Sequence, residues 1–233
     1  MRNSQRAVIA ALGVVVVTIL GVATWVRLST QAAPELSGQR SSRTYDLMGF
    51  DGVSVSGQWE VTIERGDTWR VAVDVPAEVV DDLRVELDGD AVSIGFDRAW
   101  WFGDDNDRTR LRATVTVPVL ESVVLSGASQ LSFSGFAGEQ LALVSSGASK
   151  IEGFASRFDR LDLTMSGAGS VELDDVPVTD AEVTVSGAAS VRLRMAGGRL
   201  TGRMSGAGNL VYLGTVSEQN VSTSGMVNIR RAD

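Results

Sequence analysis

The sequence predicts an all-β fold: a single-stranded, right-handed parallel β-helix, or β-solenoid, of about six coils of 19–20 residues, an irregular β-rich N-terminal cap, and one N-terminal transmembrane helix. Three observations predict it. A serine-glycine pair recurs at Ser126-Gly127, Ser146-Gly147, Ser166-Gly167, Ser186-Gly187, Ser205-Gly206 and Ser224-Gly225, at intervals of 20, 20, 20, 19 and 19 residues. A fixed period of this length marks one structural unit repeated along the chain. Within a unit, apolar residues alternate on both sides of the glycine, as in Leu161, Leu163 and Met165 and then Val171 and Leu173. A period of two belongs to half-buried strands. Finally, residues 7–26 are 20 consecutive uncharged, mostly apolar positions. As a helix rising about 1.5 Å per residue they cross a hydrocarbon core of about 30 Å.

Taken in chain order, residues 1–27 form the membrane anchor or signal segment. Arg2 and Arg6 precede the apolar run and Arg27 follows it, a bias that keeps the N-terminus in the cytoplasm and exports everything after Arg27. The rival is a cleaved signal peptide, for which Thr30-Gln31-Ala32 and Gln31-Ala32-Ala33 offer small residues near a cut. The run exceeds the usual core of about 7 to 15 residues, and Arg27 intervenes, so a retained anchor is preferred. Residues 28–43 are rich in Ser, Gln, Pro and Gly without apolar periodicity and are expected to be a tether.

The remaining 190 residues are enough for one domain with its own core. Residues 44–120 are its β-rich N-terminal part and cap. Val53-Ser54-Val55-Ser56-Gly57 followed by Val61 and Ile63 fits the repeat frame, so a degenerate coil opens the solenoid. One short helix is expected at 77–83, after Pro76. Strands at 84–87 and 91–96 flank Asp88-Gly89-Asp90, a hairpin signal. A further strand at 111–117 leads into the regular coils. A solenoid needs an atypical end unit to hide its open edge, and this region serves as one.

Residues 121–233 hold the regular repeats. The corner positions Gly127, Gly147, Gly167, Gly187, Gly206 and Gly225 call for a residue that reaches φ > 0 without a Cβ. A coil this short cannot bury its own core, so coils stack in parallel about 4.8 Å apart. Stacking aligns the six serines that precede the glycines into a column able to hydrogen-bond along the axis or to corner amides; this is expected to be structural. Five residues after each glycine runs an outward row: Ser132, Glu152, Glu172, Arg192, Val211 and Arg230. Glu172 beside Arg192 is a favourable cross-strand pair and Glu152 beside Glu172 a like-charged one. The like-charged pair reads as a solvated acidic face in preference to a cation site. Arg230, Arg231 and Asp233 supply charge at the far end.

The chain has no histidine and no cysteine, which removes imidazole and thiolate catalysis, the common zinc ligands and disulfides together. No cofactor is expected. A net charge of −8 argues against nucleic acid and anionic membrane surfaces as partners. Solenoid enzymes acting on polysaccharides need long loops that wall a groove, and four successive repeats of 19 or 20 residues leave no room for them. Glycine-rich stretches such as Ser166-Gly167-Ala168-Gly169 lack the Gly-Lys-Ser/Thr ending of a phosphate loop.

One segment breaks the pattern. Residues 97–108 place Trp100, Trp101 and Phe102 before Asp104, Asp105 and Asp107, between two expected strands. One reading is a contact tip, with Trp100, Trp101 and Phe102 as anchors for a ligand and the three aspartates as a weak metal candidate. The other is that the aromatics cover the open end of the solenoid and the acids form a solvated turn. The second is preferred, and no metal is expected because the acidic run lacks the full spacing of a calcium loop.

The repeats, as in Ser166-Gly167-Ala168-Gly169-Ser170-Val171-Glu172-Leu173, the opening Val53 to Gly57 with Trp59-Glu60-Val61-Thr62-Ile63, and Val115-Thr116-Val117-Pro118 resemble a bacterial family. It is the family described as putative auto-transporter adhesin, head GIN domain, a DUF2807-type domain, and the likeness runs from about Tyr45 to the end. The resemblance implies an exported parallel β-solenoid with an adhesion or envelope role, and no catalytic residues to carry over. The expected function is therefore a non-catalytic binding or scaffolding module of the cell envelope, periplasmic or at the surface. Its expected partners are an envelope protein, a glycan or a second copy of the chain, besides the membrane held through the N-terminal helix. An extracytoplasmic sensor domain working with a membrane partner is the alternative, and a carbohydrate-active enzyme ranks last.

Overall fold

The alternation of apolar and polar residues becomes strand almost without interruption in the computed structural model, which describes residues 37–97 and 110–232. In chain order these are β1 (Arg40–Tyr45), β2 (Gly52–Gly57), β3 (Trp59–Arg65), β4 (Arg70–Pro76), a 3-10 helix (Ala77–Asp82), β5 (Leu83–Asp88), β6 (Ala91–Phe96), β7 (Leu111–Val117), β8 (Ser122–Ser134), β9 (Ala137–Phe154), β10 (Arg157–Ala196), β11 (Arg199–Thr215) and β12 (Glu218–Arg231). From β8 onward the strands pair in parallel, each with its neighbour in sequence. The result is an all-β solenoid of about six turns.

The corner glycines set the register. Gly127 lies level with Gly147, Gly147 with Gly167, Gly187 with Gly206 and Gly206 with Gly225. A seventh glycine joins the column, because β2 pairs in parallel with β8 and sets Gly57 level with Gly127. The opening coil inferred from Val53 to Gly57 is thus part of the stack. The six repeat glycines have φ between 96° and 130°, and each packs onto the backbone of the coil before it. A Cβ on Gly187 would stand 2.0 Å from the Gly167 carbonyl oxygen, and one on Gly147 would stand 2.3 Å from that of Gly127. No side chain fits there, so the glycine column is the consequence of backbone-to-backbone packing at the corner.

Inward residues of successive coils form the core. Leu141, Leu161, Leu163, Val171, Leu173, Val183, Val191, Leu193 and Leu200 are all fully buried. Large residues in one coil are matched by small ones in the next. The Phe133 ring lies over Gly153, where a Cβ would come within 2.6 Å of Cζ of that ring, and it meets Phe158 edge-on at 6.4 Å. Here the glycine makes the room that the ring fills.

At the N-terminal end the stack changes character. β7 pairs in parallel with β3, but β4 lies antiparallel on β7 and β1 antiparallel on β4. On the other leg of the corner, β6 lies parallel on β2 and β5 antiparallel on β6, the hairpin expected around Asp88-Gly89-Asp90. The expected helix is a single 3-10 segment that buries Val79 and Val80. The antiparallel strands end the parallel stack, as an end unit must.

Several expectations are corrected. β1 begins at Arg40, inside the stretch read as a tether; its sequence has no apolar alternation because it is held by pairing with β4 and by the Arg40 guanidinium, whose Nε donates to Asp74 Oδ2 at 2.8 Å. The outward row is interrupted, since Val211 is 1% exposed. Arg192 is attracted by Glu172 as expected, but its direct ion pair is with Asp174, at 2.6 Å. Glu152 is met by Lys150 at 2.9 Å. The serine column faces outward: Ser146, Ser166, Ser186 and Ser224 are exposed, and Ser205 donates to the Val185 carbonyl at 3.4 Å. Buried hydroxyls instead occupy inward positions flanking the corner, where Ser145 Oγ donates to Ser149 Oγ at 2.6 Å and Ser129 Oγ to the Gly57 carbonyl at 3.1 Å, and a position away from the corner, where Ser156 Oγ donates to the Phe154 carbonyl at 2.8 Å. The expected membrane span at 7–26 lies outside the described residues, among which no helix is long and apolar enough to cross a membrane.

Candidate functional site

The irregular segment between β6 and β7 departs from a corner. Val55 lies level with Ile94, so continuing the register sets Phe96 level with Gly57, and Trp59 lies level with Leu111. In the opening coil only Gln58 separates Gly57 from Trp59, whereas residues 97–110, fourteen of them, separate Phe96 from Leu111. This insertion therefore stands where the glycine column would continue by one more coil. Trp100, Trp101, Phe102, Asp104, Asp105 and Asp107 all belong to it and lie outside the described residues.

The two feet of the insertion are described and firmly held. Phe96 stacks on Trp59 with ring centroids 5.6 Å apart and planes 19° from parallel, while the Trp59 indole Nε1 donates to the Ser56 carbonyl at 3.0 Å. Asp97 accepts the ion pair of Arg84, and its backbone N–H donates to the Asp82 carbonyl at 3.0 Å. On the other foot the Arg110 carbonyl accepts from Arg40 Nη2 at 2.8 Å, and Glu60 lies 3.8 Å from the Arg110 guanidinium and 3.5 Å from that of Arg112. Aromatic stacking beneath one foot and a mesh of arginines and carboxylates around both fix where the segment leaves and rejoins the sheet. Sequence reasoning found the insertion but missed the roles of Trp59 and Arg40 in holding it; those roles follow from pairings distant in sequence.

A second polar feature lies at the opposite end of the first leg of each coil. Asp90, Asp51 and Glu121 precede Ala91, Gly52 and Ser122, which are level with one another. The Asp51 N–H donates to the Asp90 carbonyl at 3.0 Å and the Glu121 N–H to that of Asp51 at 2.9 Å. Three acids are thus stacked in consecutive coils. Partial burial, and then the Asp90 charge, raise the Asp51 carboxyl above its ordinary range. Glu121 is raised by burial and by the charges of Asp51, Glu139 and Asp90. Among the described residues no group of three or more Asp, Glu, His or Cys is arranged to hold a metal ion.

Solved structures share this architecture. A putative adhesin from Bacteroides fragilis superimposes with a TM-score of 0.66 at 13% identity, over 86% of this chain and 100% of the other. Putative adhesins from Parabacteroides distasonis and Parabacteroides merdae give TM-scores of 0.53 and 0.51 at 14% and 16% identity, each over 84% of this chain and 98% of the other. At such identities the likeness is one of fold. No curated protein matches the sequence. The sequence does match the family described as "Putative auto-transporter adhesin, head GIN domain", over residues 49–215 and again over 162–233. These spans take in the opening coil, the insertion and every regular repeat, and the chain belongs to that family.

Proposed function

We propose that this protein is a non-catalytic, adhesin-like binding module of the bacterial cell envelope, and that the corner insertion at 97–110 is its contact tip. The observation that carries the proposal is the placement of three consecutive aromatics on the one corner where fourteen residues replace one. Paired tryptophans present large amphipathic surface at low entropic cost and are frequent anchors of binding energy. A non-catalytic role is supported by the lack of histidine and cysteine and, among the described residues, by acids at Asp90, Asp51 and Glu121 that stack along the axis.

The double substitution Trp100→Ala with Trp101→Ala in the full chain tests this against a glycan array and an envelope-protein pulldown. An anchor of this kind contributes about 2 kcal/mol or more, so binding should fall by at least about 30-fold if one tryptophan is the anchor and by several hundred-fold if both are, while the melting temperature stays unchanged. Undiminished binding sinks the contact tip, and a large fall in melting temperature assigns the aromatics to the cap. Tethering through the apolar run at 7–26 belongs to the same proposal. It requires the full-length protein to stay with membranes through high-salt and carbonate washes, and an N-terminus at Ala33 or Pro34 in the mature protein would replace the anchor by a cleaved signal.

A further inference from the structure

The ends of the sheet are unlike one another. β1 carries Arg40 and Arg43, and β5 carries Arg84, Glu86 and Asp88, charges of the kind that discourage edge pairing. β12 is longer, at 14 residues, and pairs only with β11 among the described residues. Its charges are confined to its two extremities, Glu218 at one and Arg230 and Arg231 at the other, with eleven uncharged residues between. None of its residues is buried, and Met226 is 80% exposed. Val221, Val227 and Ile229 occupy the inward positions that Val183, Ala189 and Val191 fill in the coil of Gly187, yet they are only half-buried where those are covered. Among the described residues the core column has no further layer beyond this coil.

The two legs of this coil mirror each other about the corner. Val221 and Thr223 stand four and two residues before Gly225; Val227 and Ile229 stand two and four after it. Turning a second coil over about a two-fold axis along the bisector of the corner exchanges the legs and reverses their direction. The result is an antiparallel pairing with inward residues on inward residues. Val221 then faces Ile229 of the second copy, Thr223 faces Val227, and Gly225 meets Gly225. Asn220 faces Arg230, so Glu218 lies diagonally beside Arg230 of the second copy, within reach of long side chains. A same-direction pairing in register would instead oppose Glu218 to Glu218 and Arg230 to Arg230. We infer that β12 docks a second copy of this chain, end to end and antiparallel about Gly225. The contact is isologous, closes on itself and continues the β-ladder through both molecules.

The full chain has no cysteine, which makes the register directly readable. Ser222 and Asn228 are both exposed and face outward, and the two-fold register sets each opposite the other across the contact. Full-length Ser222→Cys and full-length Asn228→Cys, purified separately in detergent and oxidised, should each remain largely monomeric on a non-reducing gel. Their mixture should yield disulfide-linked dimer several-fold above either alone. A mixture that gives no more dimer than the separate variants overturns the inference. Equal cross-linking by a single variant overturns the antiparallel register, and capture of a different protein by either cysteine replaces the second copy with a foreign strand.

Discussion

At the scale of the residue, the corner glycines differ from ordinary turn glycines in what surrounds them. Gly167 has φ of 125°, and a Cβ there would stand 2.1 Å from the Gly147 carbonyl oxygen. Neither coil can yield, since each is held by the ladders above and below. Gly89, in the hairpin turn, also has positive φ, at 61°, but a Cβ there meets nothing within 4 Å. Gly89→Ala should therefore cost only the left-handed backbone preference, about 1–2 kcal/mol. Gly167→Ala should cost at least about 3 kcal/mol, because it combines an unfavourable backbone with displacement of a neighbouring strand. In a domain of this size each kcal/mol lowers the melting temperature by about 2–4 °C. Thermal unfolding of the two variants checks the difference, and equal melting temperatures would contradict the backbone-contact account of the column.

Among the elements, the regular coils were legible in the sequence because their signals are local: a glycine every 19 or 20 residues and alternation on either side of it. The hairpin of β5 and β6 was legible for the same reason, through Asp88-Gly89-Asp90. β1 was not, because Arg40-Ser41-Ser42-Arg43-Thr44-Tyr45 has no apolar face and exists as a strand only through its partner β4, to which it pairs from Arg40 with Pro76 to Tyr45 with Val71. The feet of the insertion were hidden likewise, since the Trp59 stack on Phe96 and the reach of Arg40 to Arg110 join residues far apart in sequence. Arg40 bonds the Asp74 carboxylate through Nε and the carbonyls of Asp74 and Arg110 through Nη2, at 2.8, 3.0 and 2.8 Å. Arg40→Ala should free β1 at a local cost of about 1–2 kcal/mol, part of the gain being offset by solvent. Hydrogen exchange checks this: the amides of β1 should lose protection while β4, still paired with β7, keeps its own. Unchanged protection across 40–45 would mean that the backbone ladder alone holds the strand.

Across the whole molecule, stacking in register turns each position of the repeat into a column, so a charge repeated at one position meets its own kind. Opposite charges relieve this on some faces, as where Arg160 bridges Asp162 and Glu182. The stack of Asp90, Asp51 and Glu121 has no such relief in its shifts: Asp51 and Glu121 are raised by partial burial first and by neighbouring acids second, in a chain whose net charge is already −8. A carboxyl raised in the folded state above its unfolded value, about 3.9 for Asp and 4.3 for Glu, favours folding fully only below that unfolded value. The contribution disappears as pH rises through the folded value, and at neutral pH the ionised pair strains the stack. Neutral replacements should therefore stabilise. Asp51→Asn and Glu121→Gln should each raise the melting temperature at pH 7, and the gain should shrink through the carboxylate range and vanish well below the unfolded values of about 3.9 and 4.3, where both wild-type groups are protonated whether folded or not. Thermal melts of the two variants across that range decide it. A loss of stability at pH 7, or a gain that persists undiminished into acid, would show that these carboxylates hold the coils together as hydrogen-bond acceptors instead of repelling one another.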